Sequence, residues 1–182
     1  MARMVPVFLC VFLLAYGRPA FAQSYHPVDK SSSVKVTVKN AGMDVEAVLT
    51  GLEGEISFNP ADLKTASFNI SLDARTVSTG IDVRDENLRG EEYLNTGAHP
   101  RIGFVSKQVT QMRPGAYTVK GTLTIRGISK DISIPFTAVA KNDGLLFSGE
   151  CRVNRRDFKI GEGSLVLSDG MQLSLSVFAK KI

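Results

Sequence analysis

Apolar and polar residues alternate with a period of two along most of this chain. Val34, Val36 and Val38 take turns with Lys35, Thr37 and Lys39. The same rhythm returns at Ile56 and Phe58, at Phe68, Ile70 and Leu72, and at Ile102 and Phe104. It runs on through Tyr117 and Val119 into Leu123 and Ile125, then Ile132, Ile134 and Phe136, Leu145 and Phe147, and Leu173, Leu175 and Val177. A strand sends successive side chains to opposite faces, so each run has one apolar and one polar face, as antiparallel strands with one wet side do. Turn residues separate the runs at Asn40-Ala41-Gly42, Asn59-Pro60-Ala61-Asp62, Arg113-Pro114-Gly115, Asn142-Asp143-Gly144 and Ser168-Asp169-Gly170. Arg126-Gly127 marks a further tight connection, and Pro135, on the polar face of its run, predicts a sheet edge or a bulge. Eight or more such runs, with no internal repeat or linker, predict an all-β, closed or nearly closed barrel.

One stretch breaks the rhythm. Thr79-Gly80-Ile81-Asp82-Val83-Arg84-Asp85-Glu86-Asn87-Leu88-Arg89 has helix-like spacing, with Ile81, Asp85 and Leu88 on one face and Asp82 placed to cap the start. A charged helix inside a strand-patterned chain covers something, most simply the open end of the barrel. Arg84 and Asp85 read as an ion pair that ties the helix to the barrel, with the planar guanidinium also able to meet a phosphate.

The inward set is rich in phenylalanine. Phe58, Phe68, Phe104, Phe136, Phe147 and Phe158 fall on or next to apolar faces, together with Ile70, Leu72, Leu123, Ile125, Val153 and Leu175. Patterning leaves two interpretations open. These residues either fill a packed core or line a cavity, since eight strands enclose just enough space for one small ligand.

The N-terminus reads as an export signal. Arg3 precedes an apolar run from Val5 to Tyr16, and Ala20-Phe21-Ala22 has the small-residue pattern of a cleavage site. The run is shorter than the roughly 20 residues that a spanning helix needs. Residues 1–22 are therefore expected to be a cleaved signal peptide, residues 23–182 a single exported domain, and the location periplasmic or secreted. Losing Arg3 and Arg18 lowers the net charge from +4 to +2, so the basic balance belongs partly to the leader. No clustered Lys/Arg face predicts nucleic-acid binding. Beyond residue 22 a single cysteine remains, Cys151, which shares a face with Val153 and reads as a buried, inert thiol.

No catalytic constellation is present in the sequence. Beyond residue 22 the histidines are His26 and His99, and neither sits in a zinc-ligand spacing. No nucleophile motif or phosphate-binding glycine loop occurs. The expectation is a protein that is not an enzyme and that carries no metal. His99 reads first as a rim or turn residue.

Several segments, taken together, resemble the YceI family of exported lipocalin-like proteins. The stretch from Thr76 through Arg84-Asp85 to Leu88 is similar to that family's S-x-x-T-x-x-x-x-R-D-x-x-L motif. His99-Pro100-Arg101-Ile102-Gly103-Phe104, Gly121-Thr122-Leu123-Thr124-Ile125-Arg126-Gly127 and Asn154-Arg155-Arg156-Asp157-Phe158 resemble three more of its segments, in the same order. The chain departs from the family pattern at Asn40, Ala47 and Leu49, where a histidine, a glycine and an aromatic residue are common. The resemblance implies an extended eight-stranded antiparallel barrel with a short helix near one end. It also implies binding, transport or storage of a polyisoprenoid, quinone or similar lipid, with no cofactor apart from such cargo. The twelve inward residues named above would then line the cavity, with Arg84, Asp85, His99, Asn154 and Arg155 at its rim. A homodimer is compatible with the sequence. The alternative is a stress-related interaction module whose barrel is packed solid.

Overall fold

In the computed structural model, which describes residues 23–182, the alternating runs become ten antiparallel strands. They are β1 (Ser24–Pro27), β2 (Ser33–Asn40), β3 (Met43–Leu49), β4 (Glu53–Ser57), β5 (Ser67–Asp73), β6 (Arg101–Arg113), β7 (Ala116–Ile125), β8 (Ile128–Lys141), β9 (Gly144–Asn154) and β10 (Leu167–Lys181). Among the described residues there is one α-helix, α1 (Asp82–Arg89). The expected signal peptide, residues 1–22, lies outside the described residues. No helix among the described residues is long and apolar enough to cross a membrane.

The ten strands form a ring of eight. β10 pairs along one edge with β9; along the other it pairs first with β2, through Met171–Ser176, and then with β1, through Ala179–Lys181. β1 in turn pairs with β4, and β2 with β3. β1 and β2 are thus two halves of one interrupted strand, and β3 and β4 are two halves of its neighbour. Ser32 patches the first interruption: its hydroxyl donates to Val28 O at 2.8 Å and accepts from the Phe178 amide at 3.1 Å. The alternation alone left β1 and β3 unread.

The two ends of the ring differ. At one end Tyr25, Phe58, Phe68, Tyr117, Phe136 and Phe147 form a plug, with Phe58 only 1% exposed. The Phe58 ring meets Tyr117 and Phe147 edge-on at 5.1 and 5.4 Å, and Phe68 meets Phe136 at 5.5 Å, geometries that aromatic quadrupoles favour. At the other end β5 stops at Asp73. The Val48–Ser78 bridge and the Thr76 hydroxyl, which accepts from the Thr50 amide at 2.9 Å, carry the wall onward. The segment bearing α1 begins there.

Pro135 marks the edge that its position predicted. β8 pairs with β9 only from Phe136 to Lys141; from Ile128 to Pro135 it pairs with β7 alone. Gly121 has a packing duty in the same wall. A Cβ there would lie 2.5 Å from the Phe104 ring and equally close to Val105 O, so only glycine lets that ring lie flat over β7.

Phe58→Ala should cost about 3–5 kcal/mol, because a large ring leaves a plug that cannot collapse. Urea denaturation monitored by circular dichroism measures this.

Candidate functional site

The inward faces do not fill the ring. An inner chamber of about 140 Å³ lies above the aromatic plug, and an outer chamber of about 460 Å³ lies beneath α1. Val36, Leu49, Ile102, Ile125 and Leu173 belong to both and form a neck between them. Of the inner chamber's lining residues, only Ser71 and Ser148 carry polar side-chain atoms. The Ser71 hydroxyl is engaged by Arg101, 2.6 Å from Nη2. Ser148 alternates with inward Phe147 and so stands on the other face of β9. An apolar space of this size stays dry and accepts hydrocarbon.

Nine of the twelve residues predicted to line a cavity stand in its wall. Phe68, Phe104, Phe136 and Phe147 border the inner chamber, as do Ile70, Leu72, Leu123 and Leu175, and Ile125 is in the neck. Phe58, Val153 and Phe158 are buried but border neither chamber. Phe58 follows the last residue of β4 and is drawn into the plug, its amide donating to Gln23 O at 2.9 Å. Phe158 ends a 3-10 turn (Arg155–Phe158) and packs into the core with Val153 and Ile160.

The outer chamber is bounded by β2 and β3 on one side and by α1, Tyr93, Leu94 and the β9–β10 loop on the others. Helix α1 offers it one face: Ile81, Arg84 and Leu88, three and four residues apart, all border the chamber. Its other face fastens it to the barrel. Asp85, 4% exposed, accepts from the Thr79 amide at 2.7 Å and from the hydroxyls of Thr79 and Ser78. Arg89 donates to the carbonyls of Arg75 and Val77 at 2.8 and 3.1 Å.

Two expectations change here. Asp82 does not cap the helix; Ile81 occupies the cap position, and Asp85 reaches back instead to the residues before it. Arg84 and Asp85 do not pair with each other. Both engage Thr79, whose hydroxyl donates to Asp85 and accepts from Arg84 Nε at 2.8 Å, while Arg84 Nη2 donates to Thr79 O at 3.3 Å. Arg84 Nη1 has no acceptor among the described residues. These hydrogen bonds, from the Thr79 hydroxyl above all, hold the Asp85 carboxyl below the usual carboxylate range.

The other rim candidates are placed elsewhere. Arg155 is fully buried, and all five of its N–H donors are taken by main-chain carbonyls. Nε donates to Ser168 O at 2.9 Å, Nη1 to Ile160 O and Gly161 O, and Nη2 to Ser164 O and Leu167 O. The guanidinium therefore shapes the β9–β10 loop from inside and is not a rim residue. Asn154 is a cap, its side chain accepting from the Arg156 amide at 2.9 Å. The His99 ring covers Gly127 in the β7–β8 turn, where a Cβ would sit 2.9 Å from Cε1, and borders neither chamber. Cys151 packs half-buried against the core, and burial pushes its thiol up to about 11, so it stays protonated at neutral pH.

Sequence reasoning missed much of the outer chamber. Val38, Val45, Ala47, Tyr93 and Leu94 were not named as lining residues, although all five border the chamber. For Val38 the signal was present in the alternation of β2. For Tyr93 and Leu94 it was the likeness of Glu92-Tyr93-Leu94, just ahead of His99, to a segment of the YceI family.

A carboxyl held low in the folded state contributes stability that is complete above its unfolded pKa, about 4, and that fades as pH falls through the lower folded value. The stability gap between the wild type and Asp85→Asn should therefore be largest at neutral pH and shrink as pH falls below about 4. Chemical denaturation across that range measures it.

Comparison with known proteins agrees with this architecture. The YceI-like domain profile matches residues 25–179. A UPF0312 protein of Yersinia enterocolitica is 24% identical over 93% of both chains. A UPF0312 protein of Shewanella oneidensis is 28% identical over a region that spans only 59% of each chain. Among solved structures, BcnA of Burkholderia cenocepacia has a TM-score of 0.81 at 20% identity, covering 85% of this chain and 99% of that one. A polyisoprenoid binding domain from Saccharophagus degradans, implicated in plant cell wall breakdown, has a TM-score of 0.71 at 15% identity, covering 87% of this chain and 98% of that one. At these identities the solved structures establish the fold, and the profile establishes the family. The chain belongs to the YceI-like domain family.

Proposed function

We propose that this protein binds one long apolar molecule, a polyisoprenoid or a quinone tail, and carries or stores it in the periplasm. The observation that carries the proposal is a pair of adjoining apolar chambers that share five hydrocarbon side chains in their walls. A compact ligand would be satisfied by one chamber, whereas a linear tail uses both. Each methylene transferred from water into such a space contributes about 0.8 kcal/mol, offset in part by the cost of ordering the tail. The polyisoprenoid-binding neighbour supports this reading, and membership of the family supports a binding protein over an enzyme.

Polarity within the site supports one direction for the ligand. The inner chamber offers no inward polar side chain, so the tail's end belongs there. The outer chamber has Asn40, Thr79, Arg84 and Asn87 on its wall, and the head group belongs beside them. Arg84 Nη1 is the charged donor with capacity to spare, which suits a phosphate or a quinone carbonyl. Asn40, Ala47 and Leu49, where the chain departs from the family pattern, also border this outer chamber, so its selectivity for head groups is its own. The export signal read at residues 1–22 supports a periplasmic location. A packed interaction module with no ligand is less well supported, because the barrel is not packed.

Native mass spectrometry of the purified protein should reveal a co-purifying isoprenoid or quinone. A preparation that is always empty and that refuses such lipids would remove the proposal. Val36→Phe, which narrows the neck, should lower affinity for a long polyprenol by at least about tenfold and change that for a one-isoprene alcohol by less than about twofold. Fluorescence displacement with the two alcohols makes the comparison.

A further inference from the structure

Large apolar side chains stand exposed at the tips of three separate segments, all on the border of the outer chamber. Met43 is 71% exposed in the β2–β3 hairpin, Ile81 and Val83 are 52% and 73% exposed at the start of α1, and Leu165 and Val166 are 98% and 59% exposed in the β9–β10 loop. Ile81 and Val83 border the chamber directly. Met43 pairs with Asn40, and antiparallel partners share a face, so Met43 prolongs the same wall that holds Val38 and Val45. The Ala41 amide donates to Val166 O at 2.9 Å, which joins the loop tip to the hairpin tip.

These side chains are held outward. Ser164 O and Leu167 O both accept from buried Arg155, and the Leu167 amide donates to the Ser164 hydroxyl, so Leu165 is displayed between anchored neighbours. Val83 projects from a helix that Asp85 and Arg89 bolt down on its other side. A flexible loop could fold such residues over the mouth, but here the anchors forbid it. Fixed exposure of this much hydrocarbon around one opening marks a surface made for an apolar partner.

We infer that this rim docks on a lipid bilayer, setting the mouth of the cavity against the acyl region so that the tail passes between membrane and barrel without crossing water. The inference rests on the cavity holding a lipid tail. The bilayer is the favoured partner because the rim is continuous with an apolar cavity whose proposed cargo is insoluble. In addition, separate loop tips with small groups of apolar residues suit shallow insertion at the headgroup boundary, where affinity scales with the apolar area buried.

The chain from Gln23 onward, mixed with phosphatidylcholine–phosphatidylglycerol vesicles and floated on a density gradient, should rise with the lipid. The double variant Met43→Ser/Leu165→Ser changes exposed rim positions that border neither chamber and should lower that partition by at least about tenfold. Met112→Ser/Val139→Ser alters apolar residues that are also exposed but distant from the mouth, and should float like the wild type. Diphenylhexatriene added in the absence of vesicles should bind all three proteins alike, and its transfer to vesicles should slow only in the rim variant. A wild type that does not float, or a rim variant that floats and transfers as well as the wild type, overturns the docking. Failure of the wild type to bind diphenylhexatriene in water overturns the cavity reading instead, while flotation still decides the docking.

Discussion

A cylinder of strands has no free edge, and this one depends on β10 finding partners along both of its sides. Its 15 residues run the length of the barrel, but no single neighbouring strand does so on the β1/β2 side. The chain solves this with two short strands in series, β1 low and β2 high, joined across Ser32. Because each half-strand then continues into its own neighbour, the interruption passes on to the β3/β4 stave as well. The lower half closes fully through β1 and β4. The upper half is not sealed by strand pairing: β8 leaves β9 above Phe136, and β3 meets the segment from Val77 through the single Val48–Ser78 bridge, which brings α1 over the mouth. Helix, mouth and outer chamber are consequences of how the ring is completed.

The upper end is not held by strand pairing alone. Arg155 satisfies three carbonyls of the β9–β10 loop and two at the start of β10 with one planar cation, and Asp85 gathers the Thr79 and Ser78 donors beneath the helix. These are charged groups used as joints. Each sits where backbone polar groups outside the sheet would otherwise be buried without partners, a condition that costs about 1–3 kcal/mol per group. Their rigidity keeps the mouth open and its loop tips fixed.

Much of this was legible from the residues. A period of two assigns a face, and the inward face of every strand recognised in that way is inward in the structure. Period carries no information on height along the barrel axis, which is why Phe58 was grouped with Phe68: both stand in the plug, but only Phe68 also borders the inner chamber. β1 was unreadable because four residues containing His26 and Pro27 show no pattern, and β3 because Ala47 weakens its alternation. Arg155 was misplaced for a different reason. A charged residue in a loop reads as exposed, and only the convergence of carbonyls from Ile160 to Ser168, set by the folded loop, gives it an interior to occupy. The Arg84-Asp85 pair misled because adjacency in sequence suggested partnership, whereas neighbours on a helix point to different faces.

Whether eight strands make a packed core or a vessel is decided by side-chain size, since the ring itself is only just wide enough to choose. Around the plug the inward residues are phenylalanine and tyrosine, and opposing rings come within 5.1–5.5 Å of one another across the interior. Toward the mouth the inward residues of β2 and β3 are Val36, Val38, Val45 and Ala47, whose side chains are too short to meet across the same circumference. The size gradient runs along the barrel axis, and the space it leaves widens in the same direction, from the smaller inner chamber to the larger outer one. Polar groups appear only where the space is widest. A gradient in bulk and a gradient in polarity thus share one axis, and a molecule that is thin and apolar at one end and polar at the other can lie along it in only one direction.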